Sequence, residues 1–175
     1  ELPNQNVIDT RLEDVLKIIY LIFNEGYYSE SNDEIIREEL CIEAMRLNEM
    51  LLQSEITNKP QSRALLSLMC FHASRLKSRK GINGQLILYQ DQNKADWNQN
   101  LISKGTELLH NAAIGNKLSS YHLEACIAYW HTVKEDSNEK WENILQLYNK
   151  LLQLSYSPIA ALNSTYALYR ANGAA

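Results

Sequence analysis

Apolar residues recur along most of the chain at spacings of three and four, which places them on one face of a helix. One such stripe consists of Ile36, Leu40, Ala44, Leu47 and Leu51. The segment 84–90 departs from this spacing, because it alternates poorly and holds β-branched and aromatic residues. A lone strand there would have no partner for its backbone, so the segment is either a short extended stretch or a loop packed on helices.

Capping residues divide the helical pattern into seven helices. The predicted starts are Thr10 with Glu13, Ser31 with Glu34, Pro60, Asn93 with Asp96, Ser119 or Ser120, Asp136 with Glu139, and Ser157 before Pro158. The predicted ends are Gly26, Leu52, about Ser78 before Gly81, about Ala113 before Gly115, Trp130, Leu154, and Asn172 before Gly173. Because the connections are short, sequential helices are expected to be antiparallel.

The last two predicted helices partly match the tetratricopeptide repeat (TPR). Trp141, Ile144 and Tyr148 have the spacing of a first TPR helix, whereas the small residues expected in the second helix are displaced. We therefore predict an all-α fold of about seven helices in antiparallel hairpins, forming a TPR-like right-handed superhelical array. The predicted parts of this single domain, 1–175, are a first helical lobe at 1–80, a connecting segment at 81–92 and two helical hairpins at 93–175.

The composition favours helices and narrows the function classes. The chain has only three Pro and six Gly among 175 residues, too few for the turns of a β-sandwich or barrel. Its net charge of −4 argues against direct nucleic-acid contact by this segment, because phosphate neutralisation needs a surplus of Lys and Arg. No apolar run approaches the roughly 20 residues of a membrane span, and no signal peptide is recognisable. We expect a cytoplasmic domain without a membrane contact.

The residue types that most often carry chemistry show no catalytic or metal-binding pattern. Cys41, Cys70 and Cys126 each lie in an apolar helical context and are predicted to be small buried hydrophobes in a reducing compartment. The four histidines show no zinc spacing, and no nucleotide-binding or nucleophile-elbow motif occurs. The adjacent carboxylates Glu38 and Glu39 point in different directions on a helix and are predicted to be solvated. We predict no enzyme, no metal site and no cofactor.

Two clusters place polar groups beside aromatic residues at predicted helix ends. One is Asn24–Tyr28, and the other is Asp91 and Gln92 before Trp97. They have two interpretations: capping of orphan backbone groups together with core packing, or a groove between hairpins whose aromatic anchors and polar groups hold a peptide. The basic run 75–80 is likewise either a complement to a helix dipole or a docking patch for an acidic partner.

These clusters belong to a series of sequence blocks that resembles one known family. The segment VLKIIYLIFNEGY at 15–27 is similar to the VLxxIYLxFNEGY segment that begins the C-terminal extension of a group of bacterial extracytoplasmic-function (ECF) sigma factors. The further blocks, in the family's order, are 37–47, 64–69 with His72, Ala73 and Arg75, 89–92 with Trp97, 121–128 with His131, 141–148, and 157–163. The chain departs from the family pattern at Ser78-Arg79, Asn93-Lys94 and Glu124. The resemblance covers almost the whole chain.

The resemblance implies a TPR-like regulatory domain that follows the promoter- and polymerase-binding regions of an RNA polymerase sigma factor. Its expected partners are those upstream sigma regions, RNA polymerase or a regulatory protein. We expect the chain to be a piece of such a longer protein, and its last helix to offer an apolar face for a dimer. An alternative of another class is a small-molecule sensor that controls the same sigma factor. The residues expected to form the binding groove are Tyr20, Asn24, Glu25, Tyr27, His72, Arg75, Asp91, Gln92, Trp97 and His131.

Overall fold

Eight α-helices account for most of the residues that the computed structural model describes, which are 4–28, 36–81, 85–115 and 117–173. The helices are α1 (Gln5–Tyr27), α2 (Glu38–Leu52), α3 (Pro60–Ala73), α4 (Leu76–Arg79), α5 (Gln99–Ala112), α6 (Ser120–Thr132), α7 (Asn138–Leu154) and α8 (Pro158–Asn172). Within the described ranges the only extended pairing is an isolated bridge between Lys80 and Leu86. The all-α prediction is confirmed, whereas the TPR-like superhelical array stays a prediction.

The helix boundaries agree best with the sequence where one local cap decides them. The predicted end at Leu52 is confirmed, and Ser157 caps α8 by accepting a hydrogen bond from the backbone N–H of Ala160. Ser119 caps α6 in a capping box whose second member is the His122 side chain. The predicted box of Ser31 and Glu34 lies outside the described residues.

The predicted start of the first helix at Thr10 is wrong. The helix begins one and a half turns earlier, where the Asn4 side chain accepts from the Asn6 N–H at 3.3 Å. The Thr10 hydroxyl instead donates to the carbonyl of Asn6 at 3.0 Å, inside the helix. A threonine can make this backward bond as readily as it caps a helix, so the T-x-x-E pattern did not mark a terminus.

The predicted helix starts at Asn93 and Asp136 are also displaced. Asn93 caps only a 3₁₀ turn at Lys94–Asp96, and Asn98 is the cap of α5, accepting from the Leu101 N–H at 3.1 Å. Asp136 accepts from the indole N–H of Trp141 at 2.6 Å, and the cap of α7 is the neighbouring Ser137. In both places two residues with capping side chains lie close together, and tertiary packing selects the second.

The third predicted helix is interrupted at Ser74 and Arg75. The Ser74 hydroxyl donates to the carbonyl of Phe71 at 2.6 Å, and the Ser74 carbonyl accepts from the backbone N–H of Asn98 at 2.8 Å. The chain then forms the one-turn helix α4, in which the Ser78 hydroxyl donates to the Arg75 carbonyl at 2.9 Å. Serine hydroxyls that bond nearby carbonyls loosen helices in this way. The break therefore determines which way the side chains of the basic run 75–80 point.

The helices bury two apolar clusters that meet at α6. The first is formed by α1, α2, α3, α5 and α6, and the second by α6, α7 and α8. Ala125 and Ala128 of α6 face the first cluster, whereas Leu123 and Ile127 face the second. Because α3 packs on both α5 and α6, the first cluster continues across the segment 81–92 that was expected to connect two lobes. No helix in the described ranges is long and apolar enough to cross a membrane.

Close backbone packing occurs where α1 meets α2. A Cβ atom on Gly26 would lie 2.8 Å from the Arg37 carbonyl oxygen and 2.9 Å from the Cys41 backbone nitrogen. Cys41 and Cys70 are buried and free, as predicted, while Cys126 is half-buried. Burial raises the pKa of the Cys41 and Cys70 thiols to about 12, which keeps them protonated and inert.

Candidate functional site

Two arginines at the ends of α4 converge on Tyr27, the last residue of α1. The Cζ atom of Arg79 lies 3.7 Å from the centre of the Tyr27 ring and 4.7 Å from that of Tyr28. Arg75 donates through Nη2 to the Tyr27 hydroxyl at 3.4 Å. The exposed fractions of Arg75 and Arg79 are only 6% and 4%. Both guanidinium groups are therefore buried beside Tyr27, that of Arg79 over its ring and that of Arg75 at its hydroxyl.

His72, on the last turn of α3, completes the surroundings of Tyr27. Its ring centre lies 4.8 Å from that of Tyr27, and its Nδ1 atom lies 3.4 Å from Nη2 of Arg75. Burial, together with the charges of Arg75 and Arg79, holds the pKa of His72 well below its usual value. The imidazole is therefore neutral near pH 7, and its Nδ1 atom can accept the proton that Arg75 offers.

Tyr89 joins these arginines to the amino-terminal end of α7. Its ring centre lies 5.4 Å from Cζ of Arg75 and 5.6 Å from Nζ of Lys140. Its hydroxyl donates to the His131 carbonyl at 2.9 Å and accepts from Lys140 Nζ at 3.0 Å. Lys140 also donates to the Val133 carbonyl at 2.7 Å. Burial, with the charge of Lys94 next in importance, lowers the pKa of Lys140 to about 8.

Two further rings lie beside Tyr89, and a third lies beside one of these two. The ring centre of Tyr89 is 6.2 Å from that of Trp97 and 5.1 Å from that of His131, which in turn lies 5.8 Å from Trp141. Burial lowers the pKa of His131 to about 3, assisted by the charges of Arg75 and Lys140. We call the group formed by Tyr27, His72, Arg75, Arg79, Tyr89, Trp97, His131 and Lys140 the cationic–aromatic cluster.

The remaining predicted groove residues are divided between other places. Gln92 is buried beneath the cluster, where it accepts from the Ser78 hydroxyl at 3.4 Å, whereas Asp91 is exposed. Tyr20 donates to Oε2 of Glu124 on α6 at 2.6 Å, and Asn24 hydrogen bonds to Tyr20.

Glu25 is half-buried on the last turns of α1. The structure thus brings together five of the predicted residues, in a packed cluster instead of an open groove. These five are Tyr27, His72, Arg75, Trp97 and His131.

Sequence reasoning missed Arg79, Tyr89 and Lys140 as members of the cluster. Arg79 follows Arg75 by four residues, a spacing that places both on one side of a helix and was available as a signal. Lys140 carried no such signal, because a lysine in the first turn of a helix is normally solvated. Lys140 donates to the carbonyl of Val133 in the preceding loop and to Tyr89, which is distant in sequence.

A cleft of about 450 Å³ opens beside the cluster. Its lining residues are Tyr89, Gln90, Lys94, Asp136, Tyr166, Tyr169 and Arg170. At its floor, Arg170 forms an ion pair with Asp136, and its Cζ atom lies 4.4 Å from the Trp141 ring centre. Tyr89 is shared by the cleft and the cluster, so a molecule held in the cleft could contact a member of the cluster.

Comparison with known proteins assigns the chain to a family. A family model described as a family of unknown function, DUF6596, matches residues 11–113, more than half of the chain. The chain belongs to the DUF6596 family. The DUF6596 match contains six cluster residues, whereas His131 and Lys140 lie beyond it. The six are Tyr27, His72, Arg75, Arg79, Tyr89 and Trp97.

One relative extends the comparison beyond the DUF6596 match. An uncharacterized protein of Rhizobium meliloti (strain 1021) is 32% identical over 164 residues, which are 93% of this chain and 38% of that protein. The chain therefore spans less than half the length of this relative. No solved structure matches the chain.

Proposed function

We propose that the chain is a regulatory, protein-interaction domain of an ECF-type RNA polymerase sigma factor, which modulates transcription initiation. The ordered sequence blocks that resemble the extension of these sigma factors support the sigma-factor part of this proposal. The length of the Rhizobium relative supports a place within a larger protein. The geometric observation that carries the interaction part is the outer face of α8.

The outer face of α8 carries the large apolar residues of this helix. Four of them follow one another at spacings of three or four and form what we call the α8 stripe. The stripe residues and their exposed fractions are Ile159 (72%), Leu162 (71%), Tyr166 (45%) and Tyr169 (55%). The inner face, packed on α7, has only small residues, which are Ala160, Ser164, Ala167 and Ala171. Exposed apolar side chains at these spacings support an interaction site, because their exposure to water is unfavourable.

The upstream sigma regions and RNA polymerase are the proposed partners of the α8 stripe. In the longer protein, we expect Leu162→Glu to weaken co-purification of polymerase, or of separately expressed sigma regions, by about tenfold or more. Gln146→Glu, an equally charged change at an exposed position of α7, is the matched control and should keep wild-type binding. Equal binding by both variants would remove the stripe from the interface. A shift from dimer to monomer in Leu162→Glu would instead identify a second copy as the partner.

A small-molecule sensor that controls the same sigma factor is the second candidate. The observation that favours it is the cleft between the 3₁₀ turn at Tyr89–Asp91 and α8, which has the volume of a small-ligand site. A thermal-shift screen of metabolites tests it. A compound that raises the melting temperature of the wild type, but not that of Tyr169→Ala, would support the sensor.

A further inference from the structure

Arg75 and Arg79 of the cationic–aromatic cluster are buried without a negative partner among the described residues. The ion pairs found among the described residues are Arg37–Glu39, Arg46–Glu43, Lys104–Glu49 and Arg170–Asp136. None of them includes Arg75, Arg79 or Lys140. Lys140 has hydrogen-bond acceptors in Val133 and Tyr89, but the two arginines face rings and a neutral histidine. Burying a charge without a counter-charge costs several kcal/mol.

The two guanidinium groups also repel each other. Both contact Tyr27, one through the ring face and one through the hydroxyl, so they are held on the same residue. Cation–π contacts with Tyr27, Tyr28 and Tyr89 offset part of this cost, but aromatic rings carry no net charge. A group with negative charge between or beside the guanidinium groups would remove the repulsion.

Several buried polar atoms without partners also favour a group that accepts hydrogen bonds at this place. Among the described residues, Nε of Arg75, Nη1 of Arg79 and Nε1 of Trp97 have no hydrogen-bond acceptor, and Nδ1 of His131 has no partner. The first three are donors only, so each needs an acceptor. Arg75, Trp97 and His131 all lie around the Tyr89 ring. Counted over the described residues, the site is therefore rich in donors and positive charge, and poor in acceptors.

We propose that Arg75 and Arg79 bind a small oxyanion, the carboxylate or phosphate group of a small molecule. The planar fork of a guanidinium matches the oxygen atoms of both groups, and the rings of Tyr27 and Tyr89 hold the forks in place. The two arginines are almost fully buried, which suits a small anion better than a segment of another protein. Tyr28, which is 58% exposed, contacts Arg79, with 4.7 Å between its ring centre and Cζ of Arg79. Neither arginine lines the cleft proposed for the sensor, so this inference depends neither on that cleft nor on the sigma-factor proposal.

The test is a calorimetric titration of the full chain with inorganic phosphate and, separately, with acetate. The buffer contains chloride as its only other anion and keeps the ionic strength constant, so that general screening does not change. We expect saturable binding of one or both anions, and the tighter anion identifies the source of the oxyanion. Arg79→Gln should weaken that binding by about tenfold, because it removes one charge-assisted contact. Lys77→Gln, an exposed position of α4 with the same charge change, should bind like the wild type.

Thermal unfolding of the same proteins gives a second readout. Without the oxyanion, Arg79→Gln should melt at or above the wild-type temperature, because it removes one of two repelling charges. With the anion at saturation the order should reverse. If Arg79→Gln does not fold, the anion titrations of Arg79→Lys and of the wild type are compared instead.

Three results would overturn the proposal. They are the absence of saturable binding of either anion by the wild type, equal weakening by the Lys77 and Arg79 variants, and the same melting order in both buffers. None of these results affects binding of a protein partner through the α8 stripe, so the two proposals fail separately.

Discussion

The guanidinium group of Arg79 lies over the ring of Tyr27 at 3.7 Å, which joins the end of α1 to the one-turn helix α4. Tyr27 also stacks on Phe23 of α1, with the ring centres 5.8 Å apart, and its ring lies tilted against that of His72 of α3 at 4.8 Å. One tyrosine thus links α1, α3 and α4 and contacts both arginines. The stability of this region should depend on Tyr27 far more than on its exposed neighbour.

We expect Tyr27→Ala to destabilise the chain by about 3–5 kcal/mol, because it removes a buried aromatic ring and leaves a cavity. Tyr28→Ala removes the same number of atoms from a side chain that is 58% exposed, and should cost less than about 1 kcal/mol. Chemical denaturation followed by circular dichroism measures both values. Similar losses in the two variants would show that Tyr27 does not have the packing role described above.

Gly26→Ala should lower stability although the change favours a helix. Replacing a helical glycine by alanine ordinarily contributes about 1 kcal/mol of stability. At Gly26 the new Cβ atom would meet the Arg37 carbonyl at 2.8 Å, a backbone atom that cannot turn away. We expect a net loss of about 1–3 kcal/mol, as found for overpacked cores.

Gly105→Ala is the matched comparison for Gly26→Ala. The two atoms nearest to a new Cβ atom at Gly26 belong to the main chain of α2 and its cap, whereas a Cβ atom on Gly105, which is also helical, would meet ring atoms of the Phe71 side chain, the nearest at 2.8 Å. Its loss in denaturation experiments should therefore be smaller. Stabilisation by Gly26→Ala would mean that α1 and α2 are farther apart than described.

His131 should make the chain sensitive to acid. Its pKa is about 3 in the folded protein, against 6.5 for an unperturbed histidine, so between these values only the unfolded chain binds the proton. The free energy of unfolding contributed by this group is therefore fully present above about pH 6.5 and is lost as the pH falls towards 3. His131→Gln should reduce the slope of stability against pH in this window.

The control for His131 is His110→Gln, at an exposed position near the end of α5. It should leave the slope unchanged in denaturation experiments at pH 7.0, 5.5 and 4.5. Part of the slope should persist in the His131 variant, because the pKa values of His72 and His122 are also lowered. An unchanged slope in His131→Gln would contradict the burial of this imidazole.

Glu124→Gln should stabilise the chain at pH 7. Burial raises the pKa of the Glu124 carboxyl, so its ionised form is disfavoured in the folded protein and stability falls as the pH rises. A glutamine keeps an oxygen that can accept from the Tyr20 hydroxyl but carries no charge. We expect a gain on the order of 1 kcal/mol, and no gain from Glu107→Gln at an exposed position of α5. A loss in the Glu124 variant would indicate that the ionised carboxylate is needed.

The sequence was sufficient for the features that local chemistry decides. The end of α2 at Leu52 and the start of α8 at Ser157-Pro158 follow from apolar spacing and from caps within a few residues. The buried cysteines follow from their apolar surroundings in the same helix. In each case the stabilising partner is near in sequence, so no knowledge of the fold is required.

The features that the sequence did not reveal depend on distant partners. The break after Ala73 uses a hydrogen bond from the Asn98 backbone, and a local pattern cannot anticipate it. The same break turns Arg75 and Arg79 inward, while Lys77 and Lys80 remain exposed. The basic run was expected to act as one unit, either at a helix dipole or as a docking patch. The run is instead split into buried and exposed side chains. Which of them is buried depends on the residue at which α4 begins.

The position of helix α6 between the two apolar clusters affects how the chain unfolds. Its Ala125 and Ala128 belong to one apolar cluster, and its Leu123 and Ile127 to the other. Unfolding of either apolar cluster would expose one side of α6 to water. The two clusters therefore cannot unfold independently without a cost in free energy. Backbone amides in the middle of α6 should therefore be among the slowest in the chain to exchange with deuterium. Because α6 belongs to both apolar clusters, a change in the packing of α8 would be transmitted through α6 to the tyrosines and arginines of the cationic–aromatic cluster.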